Sequence, residues 1–141
     1  MKEHKQHRRQ RGFSLIELIV VLVILGLLAT VVGPAVIDRL GEGKRNIAQV
    51  QIKDLEGALD LYRFDVGRYP TTSEGLEALL EENGVQNWNG PYLNKSSLPK
   101  DPWGNDYQYR SPGEHGQFDL WSLGADGREG GEDDNADVVS W

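Results

Sequence analysis

The stretch Arg11-Gly12-Phe13-Ser14-Leu15-Ile16-Glu17 joins a basic leader to a long apolar run that carries one acid. Positions 18–37 hold no charged residue, and those twenty positions reach the length a helix needs to cross a bilayer core of roughly 30 Å. Glu17 is the exception. A carboxylate at the mouth of a membrane helix costs on the order of a few kcal/mol if unpaired, and no cation inside the run can serve as its partner. Cutting the chain after Gly12 would create one, because the new α-amino group of Phe13 on one helix could meet the Glu17 carboxylate of a helix beside it. In apolar surroundings such a pair is sensitive to orientation and sets register.

These residues resemble the processing signal of type IV pilins and type II secretion pseudopilins. The resemblance implies a prepilin peptidase that cuts between Gly12 and Phe13 and methylates the new Phe13 terminus, with Glu17 guiding assembly. Two plainer readings compete. A secretory signal peptide also has basic residues before an apolar run, but this run exceeds a usual signal core and no small-residue cleavage site follows it. A plain signal anchor that never polymerises would leave Glu17 without a role.

Charge is divided along the chain. Residues 1–12 carry a net +4 and the remainder −11, which by the positive-inside rule predicts a cytoplasmic leader and an acidic body across the membrane. An acidic body also argues against nucleic acid as a partner. The expected organisation is a leader over 1–12, a membrane and assembly helix over 13–37, and one soluble domain over 38–141, whose 104 residues suffice for a single modest core. There is no cysteine, so an exported domain of this size needs another staple, such as a metal.

Pro34 removes a helical hydrogen bond and predicts a kink or local melting over residues 30–34. Beyond it Ala48, Ile52, Leu55, Leu59, Tyr62 and Val66 recur at steps of three and four, the pattern of an amphipathic helix laid on a domain. Gly67 can end that helix. Thr71 and Glu74 have capping-box spacing, and Leu76, Leu79 and Leu80 predict a second helix closed by Asn83-Gly84. Three prolines, at positions 91, 99 and 102, exclude regular helix from the next stretch, so Trp88, Tyr92, Leu93, Leu98 and Trp103 are expected to anchor a long loop. Alternation over residues 106–110 and 117–122 predicts an antiparallel hairpin with a long turn, and Val138-Val139-Ser140-Trp141 a last short strand. The wording Tyr69-Pro70-Thr71-Thr72, Glu74-Gly75-Leu76, Gly90-Pro91-Tyr92-Leu93 and Pro99-Lys100-Asp101-Pro102-Trp103-Gly104 resembles the major pseudopilins of type II secretion, the general secretion pathway protein G family. That resemblance implies an α+β, type IV pilin-like fold, with a long N-terminal helix packed on a small antiparallel sheet and a calcium-stabilised C-terminal loop.

The loop itself is the second informative stretch, residues 123–137. Glycines at 124, 127, 130 and 131 permit sharp turns, and Asp126, Asp133, Asp134 and Asp137 offer hard oxygen ligands. A solvated acidic loop is the default for such charge. Against it stand the glycine density, the missing disulfides, and repulsion among Glu129, Glu132, Asp133 and Asp134 unless a cation neutralises them. The spacing is not that of an EF-hand. By resemblance to the pseudopilin calcium site, Asp126, Asp133 and Asp134 would ligate through side chains, and Leu123 and Arg128 through backbone carbonyls. The resemblance does not decide Asp137.

An enzyme is disfavoured. His4 and His7 lie in the leader, His115 stands alone in a turn, and no nucleophile motif is present. The resemblance implies instead a homopolymer growing from the inner membrane, its soluble domain periplasmic. Its partners would be minor pseudopilins, the prepilin peptidase and N-methyltransferase, an inner-membrane platform and a secretion ATPase. Two alternatives remain open, a type IV pilin of a surface fibre and a signal-anchored calcium-binding module.

Overall fold

A computed structural model describes residues 11–141, so most of the leader expected over 1–12, including His4 and His7, lies outside the described residues. The chain divides into two compact units, Met1–Asp38 and Arg39–Trp141. Its elements are helix α1 (Leu15–Val66), a 3₁₀ turn (Leu76–Leu79), strands β1 (Gln108–Arg110) and β2 (Asp119–Ser122), a second 3₁₀ turn (Asp133–Asn135) and strand β3 (Val138–Val139).

Within the N-terminal unit, α1 holds the apolar run. None of that run is buried. A core helix of a soluble domain would bury such a surface, whereas this one is long and apolar enough to cross a membrane. The melting expected near Pro34 is absent, since the backbone is helical throughout residues 30–34. Proline deletes only one N–H donor from the ladder, and the intact turns on either side keep the helix continuous.

The C-terminal unit is built on the rest of α1. Ala48, Ile52, Leu55, Ala58, Leu59 and Tyr62 are buried, so the stripe read from periodicity is the stripe that packs. Each large member contributes roughly 1.5–3 kcal/mol through burial. Leu76, Ala78, Leu79, Tyr107, Leu120 and Val138 complete the core. The sheet runs β1-β2-β3, antiparallel throughout, with Tyr109 opposite Leu120 and Ser122 opposite Val138.

The second helix expected after Thr71 is reduced to the 3₁₀ turn Leu76–Leu79. Its capping pair does form: Thr71 N–H donates to Glu74 Oε1 and Glu74 N–H to Thr71 Oγ1, both at 3.2 Å. Directly after it, however, Gly75 has φ +65, and a left-handed residue there stops helical hydrogen bonding from propagating out of the cap. The proline-rich loop is anchored by partly buried aromatics. Trp88 Nε1 donates to the Ala78 carbonyl at 2.8 Å, and the Tyr92 hydroxyl donates to Asp65 at 2.8 Å. Trp88, Tyr92, Leu93, Leu98 and Trp103 all pack against the core.

Candidate functional site

Two stretches hold the residues expected to carry function, one at each end of the described chain. At the N-terminal end, residues 11–14 are non-helical. The Glu17 N–H donates to Ser14 Oγ at 3.2 Å and the Leu18 N–H to the Ser14 carbonyl at 3.1 Å, so Ser14 caps α1. Ser14 and Glu17 thus have the spacing of a capping box, which the hydrophobic reading of this stretch passed over. Glu17 sits in the first helical turn, where the positive end of the helix dipole favours an acid. Phe13 is 85 % exposed.

At the C-terminal end, residues 123–137 form a closed loop inside the Arg39–Trp141 unit. It is pinched where backbones meet: a methyl group on Gly124 would lie 2.8 Å from the Ala136 carbonyl oxygen, and one on Gly131 2.5 Å from that of Asn135. Only glycine fits such approaches. The Ala125 N–H donates to the Asp134 carbonyl at 2.9 Å and so joins the two arms. Below the pinch lies a buried polar network that the sequence did not reveal. Asp101 is 4 % exposed. Its Oδ1 accepts from the N–H groups of Trp103 at 3.1 Å and Asn105 at 2.8 Å, and its Oδ2 accepts from the Ser122 hydroxyl at 2.7 Å. Ser122 Oγ in turn accepts from the Gly124 N–H at 3.2 Å. The phrase Asp101-Pro102-Trp103-Gly104-Asn105 is the signal that could have pointed to it, because an aspartate heading such a turn bonds its own backbone.

The predicted metal ligands are spread around this loop. Asp126 Oδ1 accepts from the Arg128 N–H at 3.1 Å. Asp133 has φ +51 within the 3₁₀ turn, and the Asp134 carboxylate lies against Gly41 of α1, in space that any side chain at Gly41 would fill. Among the described residues no three His, Cys, Asp or Glu side chains are gathered to hold a metal ion. Asp137 Oδ2 accepts from the Gly130 N–H at 3.1 Å, while its Oδ1 is buried without a hydrogen-bond partner. A loop of carboxylates and carbonyls containing one orphaned buried oxygen has the donor chemistry of a hard divalent cation.

A third polar centre lies at the hairpin. Asp119 is fully buried and fills the turn between β1 and β2. Its carboxylate accepts from Arg110 Nη2 at 2.7 Å, from the Glu114 N–H at 2.8 Å and from the His115 N–H at 3.1 Å. His115 is therefore part of a structural turn, its ring stacked on Trp141 at 3.9 Å.

The family described as "Type II secretion system (T2SS), protein G" matches residues 35–141, and the "Prokaryotic N-terminal methylation motif" matches residues 7–33. The chain belongs to the type II secretion system protein G family. Protein G relatives named "Type II secretion system core protein G" include one from Pseudomonas aeruginosa, 51 % identical with 96 % of this chain and 98 % of the relative aligned. Another, from Vibrio cholerae, is 48 % identical over 97 % and 95 %. Among solved structures, the major pseudopilin from the type 2 secretion system of enterohaemorrhagic Escherichia coli superposes with a TM-score of 0.61 at 39 % identity, covering 71 % of this chain and 88 % of that one. The long helix with a small antiparallel sheet is thus the type IV pilin-like fold. Protein G chains are structural pseudopilins and not enzymes, and this one is a major pseudopilin subunit whose N-terminal helix is long and apolar enough to cross a membrane.

Proposed function

We propose that the chain is the shaft subunit of a pseudopilus that grows from the inner membrane and drives folded exoproteins through an outer-membrane secretin. One observation carries this reading: no residue of the apolar run of α1 is buried, and the run is uncharged behind a single acid at its start. Such a surface needs lipid before assembly and the helices of other copies afterwards. Identical subunits joined head to tail build an open helical filament with those helices at its centre. Cleavage after Gly12 and methylation of Phe13 would supply the Glu17 carboxylate with an ammonium on a neighbour. The acidic domain would face the periplasm, and the working partners would be minor pseudopilins, the prepilin peptidase and N-methyltransferase, a membrane platform and a cytoplasmic ATPase.

Calcium is the proposed cofactor of the loop over 123–137, held by the carboxylates of Asp126, Asp133 and Asp134 with the carbonyls of Leu123 and Arg128. The cation would neutralise crowded acids and add its binding free energy to folding.

The test is the intact mass of protein purified from membranes of cells carrying the matching prepilin peptidase. A chain beginning at a methylated Phe13 is expected. A chain retaining Gly12 would leave Glu17 unpaired and overturn the filament reading.

A further inference from the structure

Gly41 and Arg45 stand one turn apart on α1, inside the Arg39–Trp141 unit, and the C-terminal turn Asp133–Asn135 rests on both. Arg45 Nη1 donates to the Ala136 carbonyl at 2.7 Å and to the Asp133 carbonyl at 3.2 Å. Gly41 is buried, and the space its missing side chain leaves is taken by the Asp134 carboxylate. The Asp134 carbonyl is bonded to the Ala125 N–H on the other side of the turn. One cation, one glycine and one amide therefore grip the same turn, at Asp133, Asp134 and Ala136.

The choice of partners is informative. Arg45 lies beside the most acidic segment of an acidic chain, yet among the described ion pairs it has none. Its hydrogen bonds go to backbone carbonyls. An arginine placed to neutralise the loop would bind carboxylates, for which its forked donors are well suited. By taking carbonyls instead, Arg45 fixes the turn's backbone and leaves the carboxylates of Asp133 and Asp134 uncommitted to it. The recess at Gly41 then decides where the Asp134 carboxylate sits.

We infer that Arg45 is a positioning residue for the loop's cation site, with Gly41 as its paired seat, and that this clamp ties the order of the C-terminal loop to α1. The inference rests on the calcium reading for its ligand but on the carbonyl contacts for its geometry. The clamp also has an electrostatic cost, because a guanidinium near the site repels a divalent cation. Position and charge consequently predict opposite signs. If Arg45 acts only through its charge, removing it tightens calcium binding; if it positions the turn, removing it weakens binding.

The experiment uses the full chain in detergent micelles, with calcium affinity read by titration calorimetry and backbone amide exchange read in excess chelator. For Arg45→Ala, affinity is expected to fall about tenfold, as for other residues that orient ligands from behind. The Asn135 and Ala136 amides should exchange faster even without calcium. Arg45→Lys, which keeps the charge but not the bridging fork, is expected to recover only part of the affinity. Gly41→Ala should weaken binding by displacing Asp134, and it serves in place of Arg45→Ala should that variant fail to fold. Unchanged or tighter calcium binding by Arg45→Ala overturns the inference. If the wild-type chain shows no calcium binding at all, the calcium reading fails, and the exchange data alone judge the clamp: faster exchange in Arg45→Ala upholds it and unchanged exchange overturns it.

Discussion

Arg110 places one guanidinium nitrogen 2.7 Å from the carboxylate of Asp119, a side chain with no exposed surface. Burial pushes the Asp119 carboxyl up, but hydrogen bonds from Arg110, from the N–H groups of Glu114 and His115 and from the His115 ring together hold it well below the usual carboxylate range. Replacing Asp119 by alanine leaves these donors facing an empty turn. Asp119→Ala should cost about 3 kcal/mol in denaturant unfolding.

Acid should unfold the domain with a defined sign. The Glu74 carboxyl is lowered to about 2, first by the Arg68 hydrogen bond, against burial, and further by the Thr71 N–H and hydroxyl. A carboxyl depressed in the folded state stabilises fully above its unfolded pKa of roughly 4 and loses that contribution as pH falls towards the folded value. Asp119 acts in the same direction. Stability should be level above pH about 5 and fall steadily towards pH 2, with Glu74→Gln showing a shallower fall than the wild type. Equal slopes in the two proteins would contradict the assignment.

The Tyr92 hydroxyl joins α1 to the proline-rich loop, donating to Asp65 at 2.8 Å and accepting from the Asn89 N–H at 2.9 Å. Tyr92→Phe keeps the ring contacts with Tyr62 and Trp88 and removes both bonds. A loss of about 1–2 kcal/mol is expected, read from the unfolding midpoint at constant slope.

Calcium at a hundred times its dissociation constant should stabilise the chain by about 2.7 kcal/mol. Asp133→Ala should abolish that gain while changing stability in chelator little. A thermal melt that ignores calcium would remove the cation from the proposal and leave the loop as a solvated acidic segment.

Glu17→Ala should leave membrane insertion and the folded domain intact and abolish filament assembly, read by shearing and sedimentation. Filaments of normal yield from this variant would show that Glu17 does not direct assembly and would overturn its proposed role, whereas a wild-type chain that forms no filament would favour the anchored, non-polymerising module.

The sequence made α1 and its buried stripe legible because a period of three to four residues and burial report the same geometry, as at Ile52, Leu55 and Leu59. The strands were legible from alternation in the sequence alone, since burial does not alternate along them: β1 is half-buried throughout and Asp119, Leu120 and Ser122 of β2 are all buried. Thr71 and Glu74 promised a helix, and their hydrogen bonds formed, but the backbone of Gly75 decided how far the helix could run. Asp101 and Asp119 were hidden because an aspartate is read as surface until its donors are known, and those donors are mostly backbone N–H groups. The seat at Gly41 and Arg45 was beyond reach for another reason: Arg45 meets carbonyls 88 and 91 positions away, and no local pattern links them. In the loop over 123–137 composition named the donor chemistry, while the routing of each side chain, Asp134 onto α1 and Asp137 onto Gly130, belongs to tertiary structure.

Ser14 caps α1, and the first helical residue is Leu15. The Gly12–Phe13 bond therefore lies in open backbone just ahead of a rigid rod. A peptidase must grip its substrate as an extended strand, and a bond within a helical ladder would have to be unwound first. If the chain is cut after Gly12 as proposed, the cap would act as a mechanical stop, and the distance from the rod's end, rather than the length of the leader, would gauge the position of the cut. Lengthening or trimming the leader should leave the scissile bond where it is, whereas shifting the cap by one residue should move it.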